Sequence, residues 1–166
     1  MAGITMSVRV LDGEFRRVLH EVMRRGLDPR PLLKVFATYL RGRTVDRFRD
    51  SRGPGGMKWT PLAEATRRAR SRRSPSRRFM GAPRQFTPLW DSGRLVSSLS
   101  TASAASIQRR GLEYGTNVLY AAIHQLGGMA GRGRSVRIPA RPFLYVERED
   151  EEEFARLGEE YLGRDL

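Results

Sequence analysis

A chain of 166 residues with 31 Lys and Arg against 18 Asp and Glu carries a formal net charge of +13 and contains no cysteine. Disulfide frameworks, cysteine zinc sites and thiol nucleophiles are thereby excluded, and the length suits one domain, residues 1–166, burying about two-thirds of the surface its unfolded chain would expose. The N-terminus lacks the charged-then-apolar pattern of a leader, and no apolar run approaches the ~20 residues that span a bilayer, so the expectation is a soluble, cytosol-made protein with no membrane partner.

Charge is segregated along the chain. Residues 147–166 hold nine acids and three arginines, a net of −6, behind a strongly basic body. Such a body favours polyanions, chiefly nucleic acid, and an acidic protein neighbour would satisfy the same charges. Composition leaves both open.

In chain order, Ile4, Met6, Val8 and Val10 alternate with polar residues, the period of a strand with one buried face. From Asp12 the period becomes helical: Leu11, Phe15, Val18, Leu19, Val22 and Met23 share a face, and Gly26 follows the basic last turn. Asp28-Pro29 opens a second helix whose stripe runs from Leu32 through Phe36 and Leu40 to Phe48. Gly-Pro-Gly-Gly at 53–56 ends it, and Thr60-Pro61 predicts a short helix to about Arg70. Residues 71–88 mix Ser, Pro, Gly and Arg without period, the composition of an extended loop that orders on contact.

Asp91-Ser92-Gly93 predicts a helical turn carrying Leu95 and Val96, and residues 99–105 and 108–114 pair as a hairpin. Tyr120 to Leu126 suits a short helix stopped by Gly127-Gly128; after a loop at 129–135, residues 136–138 and 143–146 read as extended. A terminal helix over 149–162 turns Phe154, Leu157 and Tyr161 inward, with Glu149 to Glu153 as a solvated acidic N-terminus that complements the helix dipole. The expected class is α+β, with N-terminal helices packed on a small, mainly antiparallel sheet. Long basic loops project near 67–88 and 128–137, and an acidic C-terminal helix lies near 148–162.

Candidate sites are mostly electrostatic. Arg67, Arg68, Arg70, Arg72, Arg73, Arg77, Arg78 and Arg84 lie in a stretch with no acid between Glu64 and Asp91. They suit phosphate contacts without base reading, a solvated loop, or docking on an acidic neighbour. Phe79 and Phe86 serve as loop anchors or stacking platforms. Arg132, Arg134 and Arg137 stand among glycines, an adaptable clamp for phosphate or partner, or a variable surface loop.

His124 has no second ligand at metal spacing, since His20 is the only other histidine, and no nucleophile beside it. His124 and Gln125 are therefore read as structural, and no catalytic residue, metal or cofactor is expected. Pro139 and Pro142 hold Arg141 in an extended segment, presented to a carboxylate of its own chain or of a neighbouring subunit. Trp59, Trp90, Tyr120 and Phe143 are read as core or interface anchors.

Tyr-Ala-Ala-Ile-His-Gln-Leu-Gly-Gly from Tyr120, a Gly/Arg-rich insert, then Ile-Pro-Ala-Arg-Pro-Phe-Leu to Leu144 form the most informative stretch. Ordered matches precede it: Phe48 closing a helix; Gly55-Gly56 with Trp59, Pro61-Leu62 and Thr66; Leu89 with Ser92-Gly93, Leu95 and Ser98; and Tyr114-Gly115-Thr116. This set, spanning residues 48–144, resembles the phage virion morphogenesis family of Mu-type tail completion proteins. The chain departs from that pattern in its Arg/Ser/Pro insertion after Thr66 and in its Gly/Arg-rich loop.

The resemblance implies a virion structural component and not an enzyme. Such a protein acts at the head-tail junction as a tail completion or joining ring around the DNA channel, after assembly in the host cytoplasm. Implied partners are further copies of itself, with six expected from tail-tube symmetry; neighbouring neck, connector, tail terminator or tube proteins; and genomic double-stranded DNA in the lumen. In that ring the acidic C-terminal helix is expected to lie against the basic body of an adjacent subunit. The alternative is a free, sequence-independent DNA-binding protein, and a morphogenesis hydrolase ranks last.

Overall fold

The computed structural model describes residues 4–8 as backbone, and residues 13–72, 87–109 and 111–163 in full. Arg73, Phe79, Arg77, Arg78, Arg84 and Phe86 lie outside the described residues.

Strand β1 spans Ile4–Val8, and helix α1, Gly13–Arg24, follows with Phe15, Val18, Leu19 and Val22 buried at helical spacing. Gly26 ends that helix at φ +76°, a left-handed turn that glycine adopts without a Cβ penalty. Helix α2, Arg30–Asp50, begins where the Asp28 carboxylate accepts the Arg30 backbone N–H at 3.1 Å. Its buried stripe runs from Leu32 to Phe48, so the apolar period read from the sequence is also the packing face. Helix α3 covers Glu64–Ser71, α4 Arg94–Ser100, α5 Ala121–Leu126 and α6 Arg148–Gly163.

The main sheet has strand order β1-β3-β2, with β2 at Ala105–Gln108 and β3 at Gly111–Thr116, and every pairing is antiparallel. Ile4 faces Thr116 and Val8 faces Leu112 in register. A separate antiparallel hairpin joins β4, Gly128–Ala130, to β5, Val136–Ile138. The architecture is α+β.

Helix α6 closes the core from the far end of the sequence. Phe154 stacks on Phe15 at 4.3 Å between ring centroids and meets Phe36 edge-on at 4.9 Å, and all three rings are buried. The helices approach so closely that a Cβ on Gly158 would fall 2.2 Å from Val18 Cγ1. Any larger residue there requires Val18 or one of the two helices to shift.

Several local expectations are corrected. Residues 99–104 are not a strand: Leu99 continues the buried face of Leu95 and Val96, and a 3-10 turn follows at Ala102–Ala104. Hydroxyls in this stretch bond to preceding carbonyls, Ser98 to Leu95 at 2.7 Å and Ser100 to Ser97 at 3.0 Å, which holds the chain coiled. The loop expected at 129–135 is mostly the β4–β5 hairpin, with Gly131, Gly133 and Arg134 at positive φ in its tip. The third helix starts at Glu64 and not at Thr60-Pro61, whose carbonyls serve another purpose described below. Residues 143–146 join no strand.

The acidic N-terminus of α6 is not uniformly solvated, because Asp150 is completely buried. Its carboxylate accepts hydrogen bonds from Arg47 at 2.8 Å, Arg43 at 3.1 Å, the Tyr39 hydroxyl at 2.9 Å and the Glu147 backbone N–H at 2.9 Å. Arg47 also donates to the Tyr145 carbonyl at 2.8 Å, and its guanidinium carbon lies 3.7 Å from the Tyr145 ring centroid. A buried carboxylate with two guanidiniums and two further donors meets the condition for a tolerable buried charge. Helix α6 thus docks on α1 and α2 of its own chain through its inner face.

Candidate assembly surface and the clamp behind it

The segment from Pro139 to Leu144 has no strand partner, so its backbone polar groups need other partners on burial. Side chains supply them. The Gln125 amide oxygen accepts the backbone N–H groups of Phe143 at 2.9 Å and Leu144 at 3.0 Å, while its NH2 donates to the Leu144 carbonyl at 2.7 Å. The Arg141 N–H donates to the His124 carbonyl at 2.7 Å, and Trp59 Nε1 donates to the Pro142 carbonyl at 2.9 Å. Phe143, fully buried, packs on Phe48 at 5.3 Å, and Trp59 meets Phe48 edge-on at 5.5 Å.

Arg141 is buried but finds no carboxylate. Its guanidinium donates to the carbonyls of Thr60 at 2.9 Å and Pro61 at 3.0 Å, and no carboxylate of its own chain pairs with it among the described residues. Those carbonyls precede α3, so Arg141 fixes the approach to that helix. Trp90 Nε1 donates to the Phe48 carbonyl at 2.9 Å, which ties the segment before α4 to the end of α2. Gly127, at φ +74°, lets α5 turn directly against the segment: a Cβ there would sit 2.9 Å from the Ala140 nitrogen.

The Trp59-Pro61 block and the two blocks flanking the Gly/Arg-rich loop converge on one clamp. Tyr120 lies half exposed, edge-on to His124 at 5.9 Å. His124 Nδ1 is buried without a hydrogen-bond partner, and burial, with Arg141 and Arg70 nearby, lowers the imidazole pKa below its usual value. No group of His, Asp or Glu able to hold a metal exists among the described residues. No described helix is long and apolar enough to cross a membrane.

With these features in place, the comparison with known proteins is decisive: the family model of the phage virion morphogenesis family matches residues 11–163. The chain belongs to this family. It is also 50% identical over 68 residues to "Mu-like prophage FluMu G protein 2" of Haemophilus influenzae, a match covering 41% of this chain and 46% of that relative, so less than half of the relative's length is spanned. No solved structure matches. Membership assigns the protein a role in phage virion morphogenesis.

In this family member the clamp faces the core on one side and supports an exposed apolar edge on the other. Leu119 is 70% exposed and Leu126 73%, at the two ends of α5, while Met129 and Val136 on the adjoining hairpin are each about half exposed. Exposed large apolar residues grouped beside a projecting element mark contact surfaces more than solvated ones. The tip adds Arg132, Arg134 and Arg137, all exposed and with no ion pair among the described residues.

The first basic region is less uniform. Arg67, Arg68 and Arg70 lie on α3 and Arg72 follows it; Arg68 pairs with Glu64 at 3.1 Å, and Arg70 donates to the Thr87 carbonyl at 3.2 Å and lies 3.6 Å from Asp91. Arg70 thereby staples α3 to the approach to α4. Asp150 and its partners were missed in the sequence because only their long-range burial distinguishes Asp150 from its acidic neighbours.

Proposed function

We propose that the protein is a structural, non-enzymatic ring subunit at the head-tail junction of a tailed phage, where copies surround the DNA path, complete the tail and allow it to join a filled head. The carrying observation is the exposed edge of α5 and the β4–β5 hairpin, apolar beside three arginines with no ion pair among the described residues, on a clamp rigid enough to aim it. Apolar area supplies non-directional affinity between subunits, and the arginines supply register and polyanion attraction. Neighbours in this reading are further copies, neck and tail-tube proteins, and double-stranded DNA contacted through phosphate. His124, without an orienting carboxylate or nucleophile among its described partners, serves packing.

Electron microscopy of a lysate lacking this gene tests the reading. Filled heads beside unjoined tails are expected; normally joined particles would overturn it. A second reading, a free DNA-binding protein, draws on the same exposed arginines together with Arg72. It requires duplex binding by purified protein that weakens steeply from low to physiological salt.

A further inference from the structure

We infer that the β4–β5 hairpin of one copy docks on the acidic face of α6 of a second copy, making a head-to-tail contact. The inference rests on the ring reading above and names the surfaces that would join the ring.

The hairpin exposes a large apolar side chain on each face. Met129 pairs across the ladder with Arg137, and Ala130 with Val136, so the half-exposed Met129 and Val136 point to opposite faces of a two-stranded ribbon. A two-stranded hairpin open on both faces is marginal alone, and burial against a partner supplies what is missing. At its tip Arg134 adopts φ 53°, a left-handed conformation strained for an arginine, beside Arg132 on the same short turn. Basic charge at this tip finds no acid in its own chain among the described residues.

The occupant follows from charge. The chain is strongly basic except for α6, where, apart from buried Asp150, six glutamates outnumber Arg148 and Arg156. Glu151 and Glu159 form no ion pair among the described residues, and exposed Glu152 is paired only with Arg148 one turn away. Helix α6 is fixed in place by the Asp150 cluster, so its outer face is a preformed acidic surface. The apolar residues on the hairpin favour protein over nucleic acid as its cover. Since hairpin and α6 are different surfaces of one chain, the contact is heterologous, and such contacts close into rings when the rotation permits.

The test reads the mass of the purified full chain at low salt. The parent is expected to assemble beyond a monomer and to dissociate as salt rises. R132E/R134E/R137E alone and E151K/E152K/E159K alone are each expected to remain monomeric. An equimolar mixture of the two is expected to regain the parental mass, because every contact in an alternating ring again joins opposite charges. A monomeric parent, a single charge-reversed variant that assembles like the parent, or a mixture that stays monomeric each overturns the contact. A parent that stays monomeric yet binds duplex DNA through these arginines assigns the hairpin to nucleic acid instead.

Should a triple variant fail to fold, the cysteine-free background provides a second route. Oxidation of M129C/E152C is expected to give a ladder of covalent oligomers, and each single variant nothing beyond a dimer; no ladder from the double variant overturns the proposal. If the mixture assembles while lysates lacking the gene contain joined particles, the contact stands and the neck location falls.

Discussion

Gln125 holds Leu144 by both of its backbone polar groups, donating to the carbonyl at 2.7 Å and accepting the N–H at 3.0 Å. The pair imitates one rung of a sheet where no strand is present, and the same amide oxygen takes the Phe143 N–H as well. This is the physical content of a motif in which a glutamine and a Pro-Phe-Leu segment recur across a loop.

Replacing Gln125 by leucine leaves two N–H groups and one carbonyl without partners in a partly buried segment, and is expected to cost about 2–4 kcal/mol. Gln125→Glu is expected to do no better, since a carboxylate oxygen would then face the Leu144 carbonyl. Urea unfolding of both variants measures this. A loss below about 0.5 kcal/mol for either, the range of ordinary surface substitutions, would contradict the clamp.

Asp150→Asn removes the charge that balances Arg43 and Arg47, and the expected loss is about 3–5 kcal/mol, as for other broken buried pairs. Replacing an exposed neighbour, Glu152→Gln, is expected to change stability by less than about 0.5 kcal/mol. Thermal unfolding of the two variants side by side checks the contrast, and equal effects would place Asp150 among the solvated acids.

Gly127→Ala introduces both a strained φ and a Cβ 2.9 Å from the Ala140 nitrogen, a backbone atom that cannot swing aside. The expected loss is at least ~1–3 kcal/mol from the conformation alone, because φ 74° with ψ 175° is a region that essentially only glycine adopts. Gly131→Ala, at φ 79° and ψ 179°, shares that conformation but meets only the Val136 side chain, at 3.3 Å, and isolates the conformational part. The clash is refuted if the two losses match.

Tyr39 is pushed up to about 12 by burial and by its hydrogen bond to the Asp150 carboxylate. The folded state keeps this proton while the unfolded chain releases it near pH 10, so the stability it provides is complete below about pH 10 and lost as pH rises toward about 12. Tyr39→Phe should flatten part of the alkaline fall in melting temperature. Tyr114 and Tyr145, also raised by burial, contribute in the same direction. An unchanged alkaline slope in Tyr39→Phe would mean that the phenol is not held protonated.

The helices were legible because their packing is local and periodic: Phe15, Val18, Leu19 and Val22 announce a face before any partner is known. The Gln125 clamp was legible only as a pattern of letters, since hydrogen bonds over 18 or 19 residues leave no period. Arg141 was placed correctly in an extended segment, yet carbonyl oxygens carry no sequence signature and its partners were missed. The strand assigned to residues 99–105 failed because serine and threonine suit several local states, and here their hydroxyls favour the coiled one. Asp150 failed for the opposite reason, a burial that five neighbouring acids disguise.

The stacking of Phe154 on Phe15 also orders events in time. These rings are separated by most of the chain, so during synthesis the aromatic face of α1 and α2 stays uncovered until α6 has left the ribosome. Such late closure is slow compared with local helix formation, because a long loop must close before the contact rewards it. Nascent chains would therefore expose sticky surface throughout translation and acquire their acidic outer face last. Under the proposed contact, incomplete copies would lack the α6 docking surface and so would be withheld from assembly until the fold is finished.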